Sequence, residues 1–307
     1  MSTKPEMSET KTLHGVIAAI ATAVDAKGEP DCARSTALAR FLLETGCDGL
    51  NVLGTTGEAT SFSLDQRKRV MSAYATSGLP LDRMMVGTGA AAPADAIALT
   101  KHAAELGFVG ALVLPPFYYK GVHDDGLVAY IDAILTATAT AAKPIPIYLY
   151  HFPAQSGLPW HVALIRRLLD TFGERIVGLK DSSGDMAYAR EAAGILPRFK
   201  VFPSTEAALA EARAGVFAGC ISATANLNAD LCGRAFRTGD AAALAEAVTI
   251  RNLFNGKPLV PGIKMLLGHI HGEPQWAQVE PPLSAFPAAD RAAVVSGYEA
   301  VRAKRVA

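Results

Sequence analysis

Short apolar runs rich in β-forming residues alternate with amphipathic stretches of helical length, and each run ends in Gly, Pro, Ser, Thr or another polar residue. The runs Gly15–Val24, Gly49–Leu53, Met84–Gly87, Gly110–Leu114, Ile145–Tyr150, Ile176–Lys180, Lys200–Phe202 and Gly219–Ser222 read as strands. Between them Leu64-Asp65 opens a helix carrying Arg67, Val70, Met71 and Tyr74, and Pro93 is a first-turn proline for Ala94–Leu106, which Gly107 ends. Asp124–Ala142, Pro159–Phe172, Asp185–Leu196, Glu206–Ala214 and Ala229–Arg237 complete the series. Such alternation means parallel β/α units. Eight of them within about 225 residues approach the ~250 typical of a closed barrel, so the predicted α/β fold is a (β/α)8 TIM barrel. An open doubly wound sheet produces the same pattern and is the competing architecture. The expected organisation is a flexible arm over 1–13, the barrel over 14–238, and a helical extension over 239–307 with helices at Ala241–Phe254, Ile263–Leu267 and Ala288–Ala303.

Composition narrows the partners. Of 307 residues 50% are hydrophobic, and 29 Lys+Arg against 29 Asp+Glu leave no net charge, so the footprint of a polyanion binder is missing and nucleic acid is not an expected partner. The cysteines Cys32, Cys47, Cys220 and Cys232 never reach Cys-x-x-Cys spacing, which argues against a zinc knuckle or a dithiol centre and fits a reduced cytoplasm. The run Val16–Val24 is about half the ~18 residues a bilayer crossing needs, so no membrane span is expected. Met1–Leu13 mixes Lys with Glu and reads as an arm in preference to a signal peptide.

A barrel places its chemistry at the C-terminal ends of the strands. Those ends carry Gly54-Thr55-Thr56-Gly57-Glu58, Pro115-Pro116-Phe117-Tyr118-Tyr119, Tyr150-His151-Phe152-Pro153, Lys180-Asp181-Ser182-Ser183-Gly184, Pro203-Ser204-Thr205-Glu206 and Ser222-Ala223-Thr224-Ala225-Asn226. Lys180 closes an apolar run, so it is expected to point into or just above the interior, where desolvation favours the neutral amine that attacks carbonyls. The bland alternative is a lysine that snorkels outward or pairs with Asp181. Thr55 and Thr56, between glycines on a strand-to-helix turn, offer hydroxyls and backbone N–H groups to a carboxylate, although an ordinary helix cap would look the same. Tyr150 can move a proton at the rim, or simply pack. Two other patterns are weaker. Gly87-Thr88-Gly89-Ala90-Ala91-Ala92 matches a dinucleotide fingerprint, yet the next strand ends in Pro115 where an acidic ribose ligand is wanted. His269, His271 and Glu273 lie close in sequence without a convincing third ligand for a metal.

Gly54-Thr55-Thr56-Gly57-Glu58, Tyr150-x-x-Pro153 and Gly178-Leu179-Lys180-Asp181-Ser182-Ser183-Gly184, in this order on successive strands, resemble the dihydrodipicolinate synthase and N-acetylneuraminate lyase family of pyruvate-dependent class I aldolases. The resemblance runs from about Val16 through the helical tail. It implies that Lys180 forms a Schiff base with pyruvate or a longer 2-keto acid, that Thr55 and Thr56 hold the carboxylate, and that Tyr150 shuttles the proton. It also implies that Tyr118 is lent across a dimer interface to Thr55, hence a homo-oligomer, a dimer of dimers. The covalent imine serves as electron sink, so no cofactor and no metal is expected.

Family members that make the lysine precursor carry an arginine two residues after Tyr-x-x-Pro; here the position is Gln155, which is neutral and cannot clamp a second carboxylate. The usual Tyr-Asn pair is Tyr150-His151, and Ser204-Thr205-Glu206 replaces a Gly-Asp type ending, both expected on the distal side of the pocket. Ser182, Ser204, Glu206, Gln155 and Asn226, with Gly54 and Ser222 at neighbouring strand ends, would line a pocket for a hydroxylated chain. The expected reaction is reversible aldol cleavage of a 2-keto-3-deoxy or 4-hydroxy-2-keto acid to pyruvate and an aldehyde. Alternatives are condensation of pyruvate with aspartate semialdehyde, dehydration or deamination through the same imine, a keto-acid sensor on a retained barrel, and a dinucleotide-dependent oxidoreductase.

Overall fold

The computed structural model describes residues 12–140 and 144–303. Most of the expected arm and the end of the expected helix Asp124–Ala142 therefore lie outside the described residues. Eight parallel strands form the centre: β1 (Gly15–Ala19), β2 (Gly49–Val52), β3 (Met84–Gly87), β4 (Gly110–Val113), β5 (Ile147–His151), β6 (Ile176–Asp181), β7 (Lys200–Pro203) and β8 (Gly219–Ser222). Their order is β7-β6-β5-β4-β3-β2-β1-β8, and the Ala218 N–H donates to Val201 O at 3.0 Å between β7 and the residue before β8. The sheet thus curls into a nearly closed TIM barrel, and the open doubly wound alternative is set aside.

The connecting helices are α1 (Cys32–Thr45), α2 (Leu64–Thr76), α3 (Pro93–Leu106), α4 (Asp124–Thr138), α5 (Pro153–Ser156), α6 (Val162–Phe172), α7 (Met186–Ala193), α8 (Leu209–Arg213) and α9 (Ala225–Thr238). The tail forms α10 (Ala241–Asn252), α11 (Leu259–His271) and α12 (Ala288–Ala303). Three departures from the pattern reading have local causes. Strand β1 stops at Ala19 because the buried chain beyond it leaves the sheet and turns back through a Val24–Pro30 bridge. Helix α1, for which the periodicity gave no assignment, is started by Asp31, whose carboxylate accepts the Arg34 N–H. The expected Glu206–Ala214 helix begins as a 3-10 turn, Glu206–Ala208, before α8.

Strand alternation divides the core in two. Outward side chains such as Val16, Leu50, Val86, Leu149 and Leu179 pack under the helices, while Ile17, Met85, Leu112, Tyr148, Phe202 and Ile221 fill the barrel. Leu13, expected in the arm, belongs to this interior cluster, and its N–H donates to Tyr148 Oη at 2.9 Å. Among the described residues the base of the barrel is therefore filled, and the C-terminal mouth is open to a ligand.

Candidate active site

The direction of Lys180 depends on an irregularity in β6. Ile176 faces outward and Val177 inward, so strict alternation would send residue 180 outward. A bulge intervenes: Ile147 pairs with Ile176, but Tyr148 pairs with Gly178, so one residue of β6 is extra. After it Leu179 faces out, and Lys180 aligns with the inward Tyr150 and Phe202. Gly178 makes the bulge possible, since a Cβ there would lie 2.3 Å from Lys200 O and 2.8 Å from the Tyr148 ring. Lys180 is 3% exposed, with Nζ 4.3 Å from the centroid of the Tyr150 ring. Among the described residues it forms no ion pair; the Asp181 carboxylate accepts the Ser183 N–H at 3.0 Å instead, and burial pushes that carboxyl up from its ordinary value.

Thr55 Oγ1 and Tyr150 Oη stand 3.0 Å apart, joining the ends of β2 and β5 by a hydroxyl pair next to the amine. The loop that carries Thr55 and Thr56 is shaped by left-handed backbone at Leu53 (φ 52°) and Glu58 (φ 54°), a conformation that costs about 1–3 kcal/mol per non-glycine residue unless its surroundings hold it. Gly87 yields the space: a Cβ there would sit 2.0 Å from Leu53 O. Glu58 is fully enclosed, ion-paired to the equally buried Lys264 of α11, and its second oxygen accepts the Glu280 N–H at 2.7 Å. Burial draws the Lys264 ammonium below its ordinary pKa while Glu58 opposes that shift. The loop is thereby fastened to the tail.

Above Lys180 lies a cavity of about 470 Å³, a volume suited to a small metabolite. Thr55, Thr56, Tyr150, Gln155, Lys180, Ser182 and Ser204 all line it. Gly54, Glu206, Ser222, Asn226 and Tyr118 do not. Gly54 lies behind the loop against Asn51, where a Cβ would come within 2.6 Å of the amide oxygen. Asn226 is spent on the barrel seam: its amide donates to Ala19 O at 2.8 Å and Ala223 O at 2.7 Å and accepts the Ala21 N–H at 3.1 Å. Glu206 and Ser222 are fully buried; Ser222 Oγ donates to Glu206 Oε1 at 2.7 Å, and Thr224 donates to the same oxygen. Tyr118 is 75% exposed and meets Tyr119 edge-on at 5.3 Å.

His151, expected on the distal side, points away from the cavity. It stacks on Tyr188 at 4.2 Å and accepts the Trp160 N–H at 3.0 Å, and burial lowers its pKa from 6.5 to about 4. Sequence reasoning missed Arg251 of α10, Thr60 and Ser61 after the loop, and the apolar roof from Pro258–Pro261 and Leu283. The Pro-rich flanks of α11 were the available signal, but nothing local says that the tail folds over the barrel mouth.

The fingerprint-like turn at Gly87 serves packing, with the Gly87 carbonyl taken by Arg67 Nη2 at 2.8 Å. His269 binds Glu299 at 2.9 Å while the His271 ring meets Phe41 edge-on, so the two histidines part company. Among the described residues no group of three or more His, Cys, Asp or Glu is arranged to hold a metal, and no helix is long and apolar enough to cross a membrane.

Known proteins share this sequence pattern and fold. An uncharacterized DapA-like lyase of Chloroflexus aurantiacus is 34% identical over 269 residues, 86% of this chain and 88% of the relative. The crystal structure of dihydrodipicolinate synthase from Agrobacterium tumefaciens superposes with a TM-score of 0.86 at 29% identity, covering 94% of this chain and 99% of that one. YagE, a prophage protein of E. coli K12 solved in complex with pyruvate, gives 0.83 at 26% identity, covering 94% and 98%. The dihydrodipicolinate synthetase family matches residues 12–267. The chain belongs to that family and is a lyase of it.

Proposed function

We propose that the enzyme reversibly cleaves a 2-keto-3-deoxy or 4-hydroxy-2-keto acid to pyruvate and an aldehyde through an imine on Lys180. One observation carries the reading: an amine with no ion pair among the described residues is held inside the barrel mouth with the Tyr150–Thr55 hydroxyl pair. Thr56 and the backbone of its loop take the C1 carboxylate. The Lys180 nitrogen adds to C2, and the carbinolamine loses water with a proton relayed through Tyr150. The protonated imine withdraws electrons from C3. The Tyr150 oxygen, left without its proton by that relay, takes the 4-hydroxyl proton as the C3–C4 bond breaks, the electron pair of that bond forming the enamine as the aldehyde departs. Protonation at C3 and hydrolysis release pyruvate and the free amine. The closed base and the roof over the mouth keep bulk water from the enamine.

The exposed Tyr118 and Tyr119 favour a second copy covering them, with Tyr118 reaching the partner's Thr55 in a dimer of dimers. The unpaired cysteines suit a cytoplasmic setting. A second reading, condensation of pyruvate with aspartate semialdehyde, is favoured by the Agrobacterium likeness and opposed by neutral Gln155 in the cavity wall. Dehydration or deamination would run through the same imine.

Borohydride reduction with pyruvate should attach one three-carbon unit at Lys180, and pyruvate should be released from a panel of 2-keto-3-deoxy acids. An unmodified Lys180 under saturating pyruvate ends the imine mechanism. Stabilisation by pyruvate with no turnover of any panel member would leave a sensor, and fast turnover of aspartate semialdehyde would reverse the ranking of the two reactions.

A further inference from the structure

Among the described residues, the charged ones at the cavity are Glu58, Lys180 and Arg251, and the Glu58 carboxylate itself is enclosed behind the lining. Glu58 is neutralised by Lys264, and the imine reading occupies Lys180. Arg251 is left. It projects from the end of α10 with 28% of its side chain exposed, and Nη1 lies 3.4 Å from both Glu206 Oε2 and Ser222 Oγ. Such distances are at the outer edge of hydrogen bonding. Glu206 is meanwhile better served by Ser222 and Thr224 at its other oxygen, so the carboxylate tethers the guanidinium without engaging its fork. Among the described residues Arg251 Nε and Nη2 donate to nothing. Gln155, Ser182 and Ser204 add neutral polar groups to the lining of the same cavity.

A partly desolvated guanidinium with unspent parallel donors matches the planar carboxylate and the phosphate better than it matches a hydroxyl. We propose that Arg251 is a specificity-determining residue that binds a second anionic group, carboxylate or phosphate, at the end of the substrate remote from its keto group. Buried Glu206 positions it by holding Nη1. The inference rests on the imine reading for the placement of the keto-acid end, and it narrows the substrates to 2-keto acids with a terminal anion. Gln155 is then relieved of charge recognition, which passes from β5's end to the C-terminal tail.

The test is calorimetric titration of three 2-keto acids of equal chain length whose last carbon bears a hydroxyl, a carboxylate or a phosphate. All lack a 4-hydroxyl, so none can be cleaved. A charge-assisted fork predicts that wild-type enzyme binds an anionic ligand about 10- to 100-fold more tightly than the hydroxyl ligand, and the stronger of the two anionic arms identifies the group. In Arg251→Met that ratio should fall to within about threefold, and Arg251→Lys should keep part of it. Because Arg251→Met strands Glu206, the double variant Arg251→Met/Glu206→Gln repeats the measurement without a buried unpaired charge. Equal affinities in the wild type, or a preference that survives both Met variants, overturns the assignment. Borohydride treatment of the same complexes reports separately on the imine: no adduct at Lys180 refutes that chemistry, while calorimetry still decides on the anion.

Discussion

Replacing Lys264 by Met keeps the aliphatic stem and removes only the ammonium, leaving Glu58 enclosed with the Glu280 N–H as its remaining partner. Both side chains have no exposure, so water cannot take the place of the lost cation. Breaking one half of a buried pair costs about 3–5 kcal/mol. At roughly 2 °C per kcal/mol for a chain of this size, the melting temperature should fall by about 6–10 °C. Glu58→Gln strands the ammonium instead. That group is already drawn below its ordinary pKa by burial, and loss of Glu58 removes the opposing attraction. Its charged form penalises folding below that lowered pKa, so the loss in Glu58→Gln should shrink as pH rises toward the ordinary lysine range. The double variant Glu58→Gln/Lys264→Met, with no charge to strand, should recover most of the loss. Urea melts of the four proteins at pH 7 form the cycle, and a coupling energy below about 1 kcal/mol, or a double variant as unstable as the sum of the singles, refutes the clamp. Since Glu58 ends the loop bearing Thr55 and Thr56, Lys264→Met should also weaken pyruvate binding in the native protein, measured by calorimetry.

Three further outcomes follow from the same geometry. Tyr150→Phe removes the hydroxyl that meets Thr55 and should lower kcat for pyruvate release by about 10²- to 10⁴-fold while costing only about 1 kcal/mol of stability, compared by steady-state assay and urea melt. His151 titrates at about 4 in the folded chain against 6.5 ordinarily, so below pH 6.5 the unfolded chain gains a proton that the folded one refuses; stability of up to about 3 kcal/mol is present above pH 6.5 and lost as pH falls toward 4. His151→Asn should flatten that part of the stability profile, and an unchanged slope in urea melts between pH 7 and 4.5 would discount the buried imidazole. Gly178→Ala drives a Cβ to 2.3 Å from Lys200 O, so it should cost about 1–3 kcal/mol or more and reduce borohydride trapping at Lys180 by opening the bulge; normal trapping with normal stability would mean that the bulge does not aim the lysine.

The barrel and half of its site were written in local chemistry. Short β-rich apolar runs, Pro93 at a first turn and Gly107 at a helix end marked the alternation, and the strand-end rule then brought Thr55, Thr56, Tyr150, Lys180, Ser182 and Ser204 to one mouth. Each of those signals lies within a few residues of what it specifies. The other half is nonlocal. Lys264 meets Glu58 across 206 positions, Asn226 meets Ala19 across 207, and Arg251 meets Glu206 across 45. No spacing rule joins such pairs, so Asn226 read as a ligand although it seams the barrel, and the tail read as an appendage although it roofs the cavity. Even the aim of Lys180 is set by a one-residue mismatch between β5 and β6, which alternation within either strand cannot reveal. A chain announces its elements through short-range backbone and side-chain preferences. Which polar groups face a ligand and which satisfy one another depends on contacts that exist only once the helices have closed around the barrel.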